Sequence, residues 1–352
     1  MKEVYELSEE MNSPFKASAS YRPFVYQWAV DSAHKQEVEM YWHIGQVNLQ
    51  DDAQQYFSKN GLATANVSHE QNKTILDRSL CLFTEMDKNV ADSYVTLMPY
   101  FKNNEIRCSL LRKASREVTH QQAYALAAET FGFSDKDWIA FADYKEMRDK
   151  LDALAEQFDG EHRDEVKATL LLSKTALGEG IGLFGMFATL LNQKRYGILI
   201  GFNDINEWSL KDEQEHYTDN VRIIKECYKV LTPEELKYVR KKIREFIEKF
   251  RQAEHRYLEL VFEMGGAEGL TLDQMKAYID YLCSLRAYQL DLLSIDAVLD
   301  NPLEWMDWIL SGSKVGNFFE KKVTEYVHGA LPGVVDYSKY LHILEEKEQQ
   351  IA

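Results

Sequence analysis

Proline is the residue least compatible with a helix interior, because its ring clashes with the preceding turn and it has no amide proton to donate. Only six occur in 352 residues: Pro14, Pro23, Pro99, Pro233, Pro302 and Pro332. Residues 100–232 and 234–301 therefore contain no breaker, and the proline between them starts a helix rather than stopping one. Thr232-Pro233-Glu234-Glu235 combines an N-cap threonine, proline at the first helical position and glutamate at the third, a capping box. Leu236, Val239, Ile243 and Ile247 follow at helical spacing, and the same period recurs through 105–130, 164–195, 210–230 and 271–298. No segment shows sustained period-two alternation between turn signals. The expected fold class is all-α: one helical bundle over 51–310, an irregular arm over 1–50 with two prolines and many aromatics, and a partly mobile tail over 311–352 rich in Gly, Lys and Glu.

Charge narrows the function. With 41 Lys+Arg against 57 Asp+Glu, the net charge is −16. Phosphate recognition needs a basic face that releases counterions, so a nucleic-acid partner is not expected. The longest apolar stretch, Gly180 to Leu191, covers about two-thirds of the ~18 residues a membrane span needs, so it reads as a buried helix and no membrane partner is expected. The N-terminus, MKEVYELSEEMNSPF, is acidic where a secretory signal would be basic and then apolar. Cys81, Cys108, Cys227 and Cys283 are widely spaced with no CxxC pair, which suits a reducing, cytoplasmic setting.

Gly180-Ile181-Gly182-Leu183-Phe184-Gly185 satisfies GxGxxG, but a dinucleotide loop needs its glycines directly after a strand, and KATLLLSKTAL before them is helical in pattern. Close helix packing, or room beside a site, is the better account of these glycines. More chemistry lies in ExxH, at Glu117/His120 and Glu213/His216, where i and i+3 share a helix face and can meet one metal ion. Alone this is weak: nine histidines should give roughly one or two upstream acids by chance. Five such pairs occur, including Asp31/His34, Asp159/His162 and Glu325/His328.

Four-helix dimetal sites also need one carboxylate from each of two other helices. Glu179 qualifies, a lone acid beside Ala176, Leu177, Ile181, Leu183, Phe184 and Phe187, where burial is costly without a cation or donor. The second should lie before Pro99, where LCLFTEMDKNVADSYV offers Asp87, with Glu85 in reserve. Tyr124, four residues after His120, shares its face and would bring an oxidisable phenol to the metals.

Glu-x-x-His-x-x-x-Tyr at Glu117, His120 and Tyr124, the segment LGEGIGLFGMFATLL and the segment KDEQEH together resemble the small, radical-generating subunit of class I ribonucleotide reductase, from Trp42 to about Tyr326. The 34 positions between Glu179 and Glu213 also match that family. The resemblance implies a ferritin-like bundle with metal ligands Asp87, Glu117, His120, Glu179, Glu213 and His216, and a radical on Tyr124 sheltered by Leu183, Phe184 and Phe187. It implies relay by Trp42 in MYWHIGQ, with Asp212 linking His120 to Trp42, and by a tail tyrosine, Tyr326, with Glu320 as its acidic companion; Tyr337 and Tyr340 compete for that role. It further implies a homodimer and a large catalytic subunit that reduces ribonucleotides, docked through tail residues such as Leu341, Ile343 and Leu344. Iron is the default metal pair. Manganese, alone or with iron, accepts the same ligands and would call for an activating flavoprotein or another oxidant. The rivals are a dimetal hydroxylase or oxidase, a ferritin-like metal store, and a purely structural helical protein.

Overall fold

The computed structural model describes residues 13–17, 24–155 and 161–311. The chain divides into two units, Met1–Asp307 and Trp308–Ala352. Tyr326, Glu320, Tyr337, Tyr340, Leu341, Ile343 and Leu344 lie outside the described residues.

The described part of the first unit is helical, in the order α1 (Gln27–Val38), α2 (Gln50–Phe57), α3 (His69–Leu97), α4 (Asn104–Thr130), α5 (Asp135–Ala142), α6 (Lys145–Ala155), α7 (Asp164–Leu177), α8 (Phe184–Arg195), α9 (Ile200–Tyr228), α10 (Pro233–Val261) and α11 (Leu272–Gln289). Side chains fix where the long helices begin. Ser68 and Asn103 cap α3 and α4 by accepting from the backbone N–H of Gln71 and Ile106. Thr232 with Glu235 and Thr271 with Gln274 close full capping boxes on α10 and α11.

Two expectations need correction. Residues 1–50 are not irregular throughout: α1 runs twelve residues after Pro23 and packs on α4 and α9. The helical period to 298 stops early, because Asp291 takes a left-handed φ of 59° just after Leu290 closes α11.

The stretch Asp164–Arg195 is long and apolar enough to cross a membrane, but 94% of its most apolar window is buried inside the bundle. It is the central rod, broken at Gly178–Gly182 by a π-helical turn. Such turns insert one extra residue into a helix and concentrate at functional sites. The glycines here serve packing. A Cβ on Gly180 would lie 2.5 Å from the Tyr217 ring, and one on Gly185 would lie 2.6 Å from Glu254 Oε2. Around this rod α3 packs along α4, α10 along α6 and α11, and α9 against both α7 and α8.

A candidate metal centre

Four elements meet inside the bundle: α3 brings Asp87, α4 brings Glu117 and His120, the π-helical turn brings Glu179, and α9 brings Glu213 and His216. All six side chains are buried. His120 Nδ1 lies 3.2 Å from Glu117 Oε2 and 3.0 Å from Glu213 Oε1. His216 Nδ1 lies 3.0 Å from Glu117 Oε1, 3.4 Å from Glu179 Oε1 and 3.6 Å from Glu213 Oε2. Two overlapping groups result, Asp87/Glu117/His120/Glu213 and Glu117/Glu179/Glu213/His216, each offering donor atoms within 4.8 Å of one another. Glu117 and Glu213 belong to both, so each can bridge two ions. Glu85, the reserve to Asp87, is exposed.

The donor atoms fit a metal pair better than they fit each other. Asp87 Oδ2, Glu117 Oε1, both Glu213 oxygens and both His216 ring nitrogens are buried without a hydrogen bond. Buried polar groups left in that state are rare, and a bound ion is a standard reason for them. Burial pushes the Asp87 carboxyl well above its ordinary range, and burial raises Glu179 to about 7. Burial alone would depress the two imidazoles. The surrounding carboxylates, led by Glu117, outweigh it and hold both well above the usual histidine value. The field that draws protons onto the imidazoles will also draw divalent cations, and carboxylate with imidazole suits iron, manganese or zinc chemistry.

Tyr124 stands beside this cluster, fully buried. Its hydroxyl donates to Asn206 Oδ1 at 3.1 Å and its ring stacks on Phe83 at 4.4 Å. Phe202 closes another side at 6.3 Å. Phe187 packs on Phe83 at 4.9 Å, while Phe184 lies under the Arg286 guanidinium; Phe83, which the sequence did not single out, is the ring stacked directly on Tyr124.

Outward from His120 runs a polar chain. His120 Nε2 is 3.1 Å from Asp212 Oδ2, which also accepts from Trp42 Nε1 at 2.8 Å. The indole stacks on the His120 ring at 5.8 Å. Arg116, unsuspected from sequence, donates to the same Asp212 oxygen at 2.6 Å and lies 5.0 Å over the Trp42 ring. Burial would raise the Asp212 carboxyl, but His120 and Arg116 hold it below the ordinary range. Tyr94, Asn220 and Lys113 on the far side of the cluster were also unforeseen. Positions 113, 117, 120 and 124 share a helix face, so the period that exposed Tyr124 also carried a signal for Lys113.

Two histidine–carboxylate groups joined by shared glutamates, inside a bundle of ferritin-like fold, define a dimetal-carboxylate protein. Comparison with known proteins gives the class its family: the model of the ribonucleotide reductase small chain matches residues 18–302, and the chain belongs to that family. A probable ribonucleoside-diphosphate reductase small subunit of Invertebrate iridescent virus 3 is 29% identical, over 89% of this chain and 85% of that protein. Among solved structures, the fold is similar to the Rnr4 homodimer of the ribonucleotide reductase from Saccharomyces cerevisiae (TM-score 0.67, 18% identity, 92% of this chain and 95% of that one). It is also similar to dimanganese(II)-NrdF of Streptococcus sanguinis (TM-score 0.66, 14% identity, 82% of this chain and 99% of that one).

Proposed function

We propose that this chain is the radical-generating subunit of a ribonucleoside-diphosphate reductase, storing a tyrosyl radical on Tyr124 for a separate large catalytic subunit that makes deoxyribonucleotides. The observation that carries this reading is the convergence of Asp87, Glu117, His120, Glu179, Glu213 and His216 beside one buried phenol. When bound there, a metal pair supplies the one-electron oxidising power. Tyr124 would give one electron to that pair and its phenolic proton to a carboxylate of the cluster, of which Asp87 acts on the phenol most strongly. Phe83, Phe187 and Phe202 then exclude water and reductants from the neutral radical. Asn206 fixes the orientation of the Tyr124 hydroxyl.

Asp212 holds Trp42 and His120 in one hydrogen-bonded line, which supports Trp42 as the relay between the cluster and the surface. Tyr326, with Glu320, would continue the relay toward the large subunit. A hydroxylase would hold its own substrate beside the metals and would need neither a buried phenol at Tyr124 nor a relay at Trp42, so radical storage is favoured over a self-contained oxidase. Iron is the default; the manganese pair named for the Streptococcus relative would need a flavoprotein or other activating partner.

A homodimer is supported by α4, which turns Leu111, Ser115, Val118, Gln122 and Ala125 outward as an uncharged stripe. Sedimentation giving only a ~41 kDa species at micromolar concentration would count against it. The central test is reconstitution of the metal-free protein with ferrous iron and oxygen, followed by electron paramagnetic resonance. A tyrosyl signal absent from Tyr124→Phe is expected. Bound metal with no organic radical under iron and manganese reconstitution alike would remove the proposal's main step.

A further inference from the structure

Glu179 differs from the other carboxylates of the cluster in having both oxygens hydrogen-bonded by residues outside the cluster. Tyr94 donates its hydroxyl to Glu179 Oε1 at 2.6 Å, and Asn220 Nδ2 donates to Oε2 at 2.9 Å. The same Asn220 amide donates to Tyr94 Oη at 2.7 Å, closing a three-membered ring of hydrogen bonds. Behind it, Lys113 Nζ donates to Asn220 Oδ1 at 2.7 Å, which fixes the amide with its NH₂ toward Glu179. Lys113 also lies 5.8 Å from the Tyr94 ring centroid. Tyr94, Lys113, Asn220 and Glu179 are all fully buried, and they come from α3, α4, α9 and the π-helical turn. Glu213, by contrast, meets only the ring nitrogens of His120 and His216, and among the described residues no donor outside the cluster holds either of its oxygens.

This asymmetry matters because a π-helical turn rich in glycine does little by itself to orient the side chain it carries. Glu179 is flanked by Gly178, Gly180 and Gly182, so its carboxylate must be aimed from outside its own helix. We infer that Tyr94 and Asn220, backed by Lys113, are positioning residues that aim Glu179 and thereby set the affinity of the subsite formed with His216, leaving the His120 subsite unaffected. The inference rests on the reading that the cluster binds two metal ions. Tyr94 lies on the opposite flank from Tyr124: its ring packs edge-on to His216 at 6.3 Å, and its hydroxyl is bonded to a cluster carboxylate, whereas that of Tyr124 is bonded to Asn206.

The experiment isolates the subsites and uses manganese(II), free ion counted by electron paramagnetic resonance, with no turnover measured. His120→Ala leaves the Glu179/His216 subsite, and His216→Ala leaves the Asp87/His120 subsite. Adding Tyr94→Phe, or separately Asn220→Leu, to the His120→Ala protein is expected to weaken manganese binding about 10- to 100-fold, the usual effect of removing a partner that orients a ligand. The same additions to His216→Ala should change binding less than about threefold. Equal weakening in both backgrounds would show general damage to the bundle and overturn the inference, as would unchanged binding in both. Failure of the parent chain to bind two ions is a separate result, and it would remove the dimetal reading along with the inference.

Discussion

Between α6 and α10 a buried lysine faces a buried glutamate, Lys150 Nζ to Glu254 Oε1 at 2.6 Å; beside α3, α4 and α9, four buried carboxylates face two imidazoles. The first set is balanced, one cation to one anion, and the Tyr257 ring 4.1 Å from Lys150 adds a cation–π contact. The second set, without metal, is balanced only by protons drawn onto its own imidazoles and carboxyls. Its fifth acid, Asp212, has Arg116 to neutralise it, which leaves Asp87, Glu117, Glu179 and Glu213 to be met by those protons or by bound cations. Burying charge costs several kcal/mol per ion unless it is paired. A balanced pair is consistent with a structural role, and an unbalanced cluster of this size with a ligand-binding one.

The largest expected effect comes from breaking the unbalanced set. Glu213→Ala should reduce bound metal from two ions per chain to one or none, since that carboxylate belongs to both donor groups. With free metal at about a hundred times Kd, each site stabilises the fold by about 2.7 kcal/mol, so the metal-dependent stability should fall by about 2.7 kcal/mol for one lost ion and about 5 kcal/mol for two. Without metal the variant should be as stable as the parent or more so, because one of several repelling carboxylates is gone. Urea denaturation with and without manganese measures both quantities. A metal-free loss above about 3 kcal/mol would mean that the cluster holds the fold together on its own account.

The contrast also explains what could be read in advance. Helical class, the start of α10 at its capping box and Glu117, His120, Glu213 and His216 were legible, because caps and ExxH pairs are local patterns that survive in sequence, whereas Asp87 had only the family resemblance to single it out from Glu85. Glu179 was legible for the opposite reason, as an acid placed where local pattern forbids one. Arg116, Tyr94, Asn220 and the Lys150–Glu254 pair were not legible. Each is defined by a partner on another helix, and in isolation Lys150 or Glu254 reads as an ordinary solvated charge on an amphipathic surface. The π-helical turn was hidden as well, since its glycines look the same in a packed straight helix.

Breaking the balanced set should cost less overall but should not depend on metal. Lys150→Met leaves Glu254 buried without its cation and should destabilise by about 3–5 kcal/mol, with or without manganese. Lys150→Met with Glu254→Met should recover to within about 1 kcal/mol of the parent, since a well-packed apolar pair often replaces a buried ion pair at no net cost. A double variant no more stable than Lys150→Met alone would show that the pair does more than neutralise itself.

The smallest effect, and the one that most sharpens the comparison, is in the pH dependence. Burial raises the Glu254 carboxyl to about 7, against an ordinary value of 4.5, even with Lys150 opposing the shift. Between those values the folded protein keeps a proton that the unfolded chain has released. The associated stability is fully present below about 4.5 and is lost as pH rises to about 7, amounting to at most about 3 kcal/mol. Glu254→Gln should flatten this slope in metal-free protein, measured as the difference from the parent across pH 5 to 7.5. In metal-loaded protein the cluster should work in the other sense, because protons compete with metal for carboxylate and imidazole, so its contribution grows as pH rises. The parent with manganese should therefore gain stability over a range in which the metal-free parent loses it. Removing Glu254 should steepen the loaded curve, since the opposing slope is gone. Curves with and without metal that run parallel across this range would mean the two buried sets are neutralised in the same way after all.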